Sequence, residues 1–248
     1  MKLRFNCMEC FSIHGQPSDE FVSLDLTDDG IYAMQCSNGH TTLVSLQQHK
    51  FEILFDMGIN ALIDGYPREA VATIASSLER FYEFYIDVIC IKHNVNQDLY
   101  EKIWKQVKKQ SERQYGAYLF LNLIDNPNEI DILTIYDKSP AGKQENWSTF
   151  RNKIIHEGYI PQQEEAFMYI DFVYQHICKL ILKLKESNEE YLQTAISKHI
   201  SRVHKKANGS MISFMSIATI ISLSRGDIQP ATLHEAINPT HLKWQYKH

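Results

Sequence analysis

No apolar run in this 248-residue chain is long enough to cross a bilayer. The longest, "MISFMSIATIISLS" from Met211 to Ser224, is short and broken by serines, whereas a spanning helix needs about 20 apolar residues. The first residues, "MKLRFNCMECFS", have no apolar h-region, so we expect no signal peptide, no membrane association and a cytoplasmic location. A basic surplus is missing too. The net charge is -5, which excludes a general electrostatic grip on nucleic acid and confines any such surface to a local patch. Cysteines are few and odd in number. Of the five, Cys90 and Cys178 stand alone inside apolar helical patterns, which argues against a disulfide framework and for a reducing compartment. "SPAGKQ" has neither the spacing nor the Ser/Thr of a P-loop, and neither a serine-nucleophile elbow nor a dinucleotide fingerprint occurs. Internal repeats and low-complexity linkers are also lacking.

What remains is an ordinary globular composition, 44% hydrophobic and 22% charged. The first ~45 residues read as strands and turns. "EFVSLDLTDDGIYAMQC" alternates apolar and polar residues on both sides of Asp28-Asp29-Gly30, a hairpin signal. From Gln47 the period becomes helical, with Phe51, Leu54, Phe55, Ile59 and Leu62 on one face. A long helix is expected from about Pro67 to His93, striped by Ile74, Leu78, Phe81, Tyr85 and Ile89. Further helices are expected at about 97–111, 115–124, 148–157 and from about 161 onward, with a long connection at 125–146. After Ser187 we expect a helix to about His204, a turn at Asn208-Gly209, an apolar run and a short helix near 231–236.

Cys7 and Cys10 form a C-x-x-C knuckle, and Cys36 and His40 follow in "CSNGH". Two tight turns can bring three thiolates and one imidazole to a single zinc ion. Gly39 lets the second turn fold. His14 is the rival fourth ligand. A module of about 45 residues can hardly stabilise itself by burial alone, which favours a metal over mere small hydrophobes. Four protein ligands leave no open position, so the Zn2+ is expected to be structural. "CSNGH" also resembles the second knuckle of small zinc-ribbon modules.

"WSTFRNKIIHEGYIP" holds a second constellation: Arg151, Asn152 and His156. Asn152 and His156 share a helical stripe, and Gly158 places His156 in the last turn. Together with "GYPREAVATIASSLERFYEFYI" and the following "QQEEAFMYIDFVYQHI", this segment, about Lys50 to Lys185, resembles the HEPN superfamily. That family's signature is an arginine followed by a polar residue, with a histidine four to six residues on, just before the last long helix. The resemblance implies an all-α bundle that forms a homodimer and pools two motif copies in one cleft. It also implies a metal-independent endoribonuclease with RNA as substrate, Arg151, Asn152 and His156 as catalytic residues, and a setting as a toxin or antiphage-defence effector with an antitoxin or defence protein as partner. A non-catalytic module binding nucleic acid or a partner protein is the alternative. Tyr159 lies three residues after His156, where the tyrosine-modified HEPN subgroup has it two after, so that form of regulation is not expected.

The expected fold is mainly α: a small β-rich zinc ribbon at 1–46, a HEPN-like helical bundle at 47–187 and a mixed extension at 188–248. Glu79 is either a cleft carboxylate or a solvated one. The run Lys102, Lys105, Lys108, Lys109 and Arg113 reads as a solvated helix face, with an RNA-binding face as the alternative. "SKHISRVHKK", 197–206, poses the same choice. His93, His176 and His199 are expected to be structural.

Overall fold

The computed structural model describes residues 2–16, 20–127, 146–206, 211–224 and 232–237. They form β1 (Lys2–Phe5), α1 (Met8–His14), β2 (Val22–Asp25), β3 (Ile31–Gln35), β4 (Thr41–Leu46), α2 (Lys50–Ile63), α3 (Pro67–Lys92), α4 (Gln97–Val107), α5 (Ser111–Asp125), α6 (Trp147–His156), α7 (Gln163–Ser187), α8 (Glu189–Lys206), β5 (Ile212–Met215) and α9 (Leu233–Ala236). The chain is mainly helical with a small sheet region.

The bundle is organised on α3. Pro67 sits in its first turn, where a missing N–H costs nothing, and Lys92 lies in its last turn. Its apolar stripe is buried against α2, α5, α6, α7 and α8. The α2–α3 contact is close because Gly58 has no side chain: a Cβ there would lie 2.6 Å from the Ile74 side chain. Helix α8 is tied to the same scaffold by Lys198, whose ammonium lies 3.2 Å from an Asp87 carboxylate oxygen on α3.

The β elements form two sheets. β1 pairs antiparallel with β2, while β3 and β4 form a hairpin that β5 joins in parallel, Leu43 opposite Ile212 and Leu46 opposite Met215. Two expectations are corrected here. The Asp28-Asp29-Gly30 turn does not close a hairpin; it passes the chain from one sheet to the other. Alternation reports which face a residue takes, not which strand it pairs with. The first ~45 residues also contain α1, capped by the Cys7 side chain, which accepts from the Cys10 N–H, and closed by Gly15. Smaller shifts occur at the α4–α5 corner, where α4 stops at Val107 and α5 begins at Ser111. The long connection after α5 and the Asn208-Gly209 turn lie largely outside the described residues.

The segment after α8 belongs to both halves. Past β5, the run 216–223 lies along α2 and its backbone is held by side chains near that helix's start. Gln48 exchanges hydrogen bonds with Ile217, its Oε1 accepting from the Ile217 N–H at 3.1 Å and its Nε2 donating to the carbonyl at 2.9 Å. Asp56 accepts from the Ile220 N–H at 3.0 Å, and Glu52 from the Leu223 N–H at 2.9 Å. Both carboxylates are almost wholly buried, Glu52 at 2% and Asp56 at 1% exposure. An irregular strap can be buried only if its N–H groups find acceptors, and these two side chains supply them.

Candidate functional site

The cysteine–histidine cluster is assembled from two local structures. Cys7 caps α1 and Cys10 lies in its first turn, which puts two sulfurs on one side of a helix start. Cys36 and His40 flank the β3–β4 hairpin turn, where the Cys36 N–H donates to the His40 carbonyl at 3.1 Å and the Gly39 N–H to the Cys36 carbonyl at 2.9 Å. Gly39 takes φ of 84°, a left-handed conformation that suits glycine. The four donor atoms lie within 4.8 Å of one another. Cys10 Sγ is 3.8 Å from Cys36 Sγ and 3.2 Å from His40 Nδ1, and Cys7 Sγ is 3.8 Å from His40 Nδ1.

A tetrahedral zinc ion with Zn–S near 2.3 Å and Zn–N near 2.0 Å has edges of about 3.8 Å between sulfurs and about 3.5 Å between sulfur and nitrogen. The observed spacings bracket those values, while a disulfide would need about 2.05 Å. The cluster is therefore compatible with a structural zinc site. Burial pushes the Cys36 thiol up, but the backbone N–H groups of His40 and Asn38 and the Cys7 and Cys10 thiols outweigh it and bring it down to about 7. A thiol that ionises near neutrality suits a ligand, because the thiolate is the binding form. Asn38 also donates from Nδ2 to Cys10 Sγ at 3.3 Å. Among the described residues it is His40, not His14, that completes the group.

The second constellation lies on α6. Asn146 caps this helix by accepting from the Thr149 N–H at 2.8 Å. Trp147, Phe150 and Ile154 bury one face, with both aromatic rings against Tyr169 of α7. Arg151 is thereby aimed across to α3. Its Nη2 donates to Glu79 Oε1 at 2.6 Å and its Nη1 to Asn152 Oδ1 at 2.8 Å. The pair is partly shielded, with side-chain exposures of 17% for Arg151 and 26% for Glu79. Burial pushes the Glu79 carboxyl up; the Arg151 charge opposes this without cancelling it. Beside the pair lies a cavity of about 50 Å³, walled by Glu79, Tyr82, Ser111, Tyr115, Ser148 and Tyr169.

His156 is not part of that wall. It is the last residue of α6 and is exposed. The helix closes behind it with Gly158 at φ of 74°, and the Tyr159 hydroxyl donates to Glu165 Oε2 at 2.8 Å. The fold thus joins Arg151 to Asn152 and Glu79, and leaves His156 about one and a half turns away on another side of the helix. Glu79 takes the cleft position of its two sequence readings, since its carboxylate meets a guanidinium rather than open water. Lys102, Lys105, Lys108, Lys109 and Arg113 are all exposed, and the corner bearing Lys108 and Lys109 leads into the cavity wall at Ser111. His176 is buried with Tyr82, Nε2 to hydroxyl 3.1 Å.

Comparison of the chain with protein-family models, with curated proteins and with solved structures finds no match.

Proposed function

We propose that the chain is a metal-independent endoribonuclease of HEPN type, with a structural Zn2+ held by Cys7, Cys10, Cys36 and His40. The observation that carries the catalytic reading is the Arg151–Glu79–Asn152 cluster beside a cavity, on a short helix that precedes a long one. A guanidinium oriented on one edge by a carboxylate and an amide keeps other N–H donors for phosphate oxygens. His156, the last residue of its helix, is accessible.

The reaction needs only RNA and proton transfer. The 2′-oxygen bonds to phosphorus while the bond from phosphorus to the 5′-oxygen breaks. The 2′-hydroxyl loses a proton and the leaving oxygen gains one, and His156 serves this exchange. Arg151 stabilises the charge on the non-bridging oxygens. Within one chain the two residues lie about 140° apart around α6, so a two-fold homodimer that faces two α6 helices supplies a fuller set of donors. Ile63, Tyr66, Tyr159 and Ile160 support this pairing. They are exposed, and the two turns bearing them are joined by Gln163 Nε2 donating to the Leu62 carbonyl at 2.5 Å. The setting as a toxin or antiphage effector, and an antitoxin or defence partner, follow from the family resemblance.

One observation favours a non-catalytic HEPN-like binding module instead: Arg151 is already engaged by Glu79 and Asn152 within the chain. Cleavage by the purified zinc-loaded protein separates the two readings. Activity should persist with EDTA while zinc is retained, and products should carry a 2′,3′-cyclic phosphate and a 5′-hydroxyl. His156→Ala should lose about two to four orders of magnitude in rate. Arg151→Lys should also be impaired, because a point charge does not replace a planar fork. A 5′-phosphate product, or an unimpaired His156→Ala, would remove this site from the chemistry. RNA binding without cleavage would establish the module.

A further inference from the structure

A cavity of about 610 Å³ lies between the N-terminal module and the bundle, well away from the Arg151 cluster. Its volume falls in the range of small-molecule sites, about 300–1,000 Å³. Three kinds of surface meet there. Tyr32, Leu46, Ile53, Leu54 and Met57 supply an apolar floor from β3, β4 and α2. One wall is the last part of α8, where His199, Arg202, Val203 and Lys206 recur at helical spacing and Lys205 joins them. The opposite rim is the β2–β3 turn with Thr27, Asp28 and Asp29.

The charges on the two sides are differently placed. The rim carboxylates are already engaged. Asp28 is paired with Lys50, and Asp29 accepts from the Thr27 hydroxyl at 2.7 Å and the Ile31 N–H at 3.3 Å. Arg202 and Lys205 of α8 have no such carboxylate partner among the described residues, and both are exposed and line the cavity. The charge of Arg202 is felt by His199, which lines the cleft, and by His49, which follows the lining residue Gln48 in sequence. Burial chiefly, then the neighbouring His199 and Arg202, pushes His49 down to about 3, and burial with Arg202 lowers His199. Lys206 adds to the depression of Asp28 and Asp29, behind Lys50 for the first and behind the Thr27 and Ile31 hydrogen bonds for the second. The cleft thus combines an apolar floor, a cationic wall and a rim of hydrogen-bond acceptors, with Glu101 also in the lining. In that wall Arg202 and Lys205 have no carboxylate partner among the described residues, while Lys206 faces Asp28 and Asp29.

We propose that this cleft is a binding site for a nucleoside phosphate, with the base on the apolar floor, the phosphate on Arg202, Lys205 and Lys206, and the sugar hydroxyls toward Asp28 and Asp29. A fatty acid would satisfy the floor and the cations, but would set hydrocarbon against the two rim carboxylates, which costs free energy. A free inorganic phosphate would leave the floor wet. A nucleoside phosphate matches all three surfaces. This site is independent of the ribonuclease reading, and its test needs no catalytic activity.

The experiment is calorimetric titration of full-length, zinc-loaded protein with AMP, ADP, ATP, GTP and UMP. Adenosine, inorganic phosphate, oleate and a short RNA ladder serve as comparisons. At least one nucleotide should bind saturably with a Kd below about 1 mM, and adenosine and inorganic phosphate each at least about tenfold more weakly. Arg202→Glu combined with Lys206→Glu should weaken that nucleotide by at least about tenfold. Both residues are exposed, so the variant should keep its zinc content and helical signal. Asp29→Asn is a second, milder probe: it should weaken a ribonucleotide more than its 2′-deoxy counterpart. No saturable nucleotide binding overturns the proposal, as does binding that the double variant leaves intact. Adenosine or oleate binding as tightly as the nucleotide would refute the assigned chemistry. Affinity that climbs steadily with RNA length would assign the wall to nucleic acid and likewise overturn a small-molecule site.

Discussion

The N-terminal module and the helical bundle are held together by different means. The module's cluster of buried apolar residues is Leu3, Phe5, Cys7, Cys10, Tyr32, Met34, Val44 and Leu46, and two of these are proposed metal ligands. Without ligation its core is left with six ordinary side chains, too few for a module of this size. The bundle buries whole faces of α2, α3 and α7, including Phe51, Phe55, Phe81, Tyr85, Phe150 and Tyr174. Small β modules substitute coordination chemistry for area, whereas helices of 14 to 26 residues such as α2 and α3 have area to spare.

Removing the metal should break this contrast most sharply. Structural zinc contributes about 10–16 kcal/mol in zinc-finger peptides, so Cys36→Ser or exhaustive chelation should unfold the module outright. Helical ellipticity at 222 nm should largely survive, since the bundle has its own core. A single transition in which helix and sheet signals vanish together would show that the two regions are one folding unit. Elemental analysis should find one zinc per chain in the wild type and clearly less in Cys36→Ser.

The reverse perturbation is smaller. Phe81 is fully buried at the α2–α3 contact, packed at 5.2 Å against Phe51. Phe81→Ala should cost about 3–5 kcal/mol and lower the bundle's melting temperature. Zinc release followed by a colorimetric chelator should lag behind that loss of helix if the module stands alone.

The junction can be tested by pH. Burial, reinforced by Asp56 and opposed by the Leu223 and His49 N–H groups, raises Glu52 from 4.5 to about 7. The folded state therefore holds this proton more tightly than the unfolded chain, and stability falls as pH rises from about 4.5 to 7. His49 acts in the other direction. Its folded value is depressed from 6.5 to about 3, so stability falls as pH drops through that window. From about 4.5 to 6.5 the two slopes oppose each other, so the melting temperature should be nearly level there, falling below about 4.5 through His49 and above about 6.5 through Glu52. Glu52→Gln should remove the alkaline fall and let the melting temperature climb up to about 6.5. An unchanged alkaline limb would place the titration elsewhere.

The smallest effect is expected at Asn146. Its side chain satisfies one N–H of α6, so Asn146→Ala should cost about 1 kcal/mol in a thermal melt without touching the module. A loss above about 2 kcal/mol would mean that the start of α6 does more than cap a helix.

Local signals explain what was legible in the sequence. The 3.6 period and Pro67 placed α3 almost to the residue, and the knuckle spacing named the four residues that cluster. The α6 limits, expected at about 148–157 and found at Trp147–His156, were legible from the apolar face of Phe150 and Ile154 and from Gly158 just past the end. What stayed hidden was non-local or locally ambiguous. The pairing of β4 with β5 joins segments about 170 residues apart, for example Leu43 with Ile212, and no periodicity reports it. Glu52 and Asp56 look like ordinary surface carboxylates until the strap they satisfy is known. α1 was concealed because C-x-x-C fits a tight turn as well as a capped helix start. The Arg151–Glu79 contact was only half visible, since a carboxylate 72 positions away could face either cleft or water.

The position of β5 also has a consequence for the order of events on the ribosome. The third strand of the first module's sheet is made near the end of the described chain, so β4 must wait for its neighbour while α2 to α8 are synthesised. At about 5–20 residues per second, that wait is roughly 10–30 s. During it, one edge of β4 remains an open template for intermolecular strand pairing. A nascent chain stalled before Ile212 should therefore depend on chaperones more heavily than one stalled just after Met215.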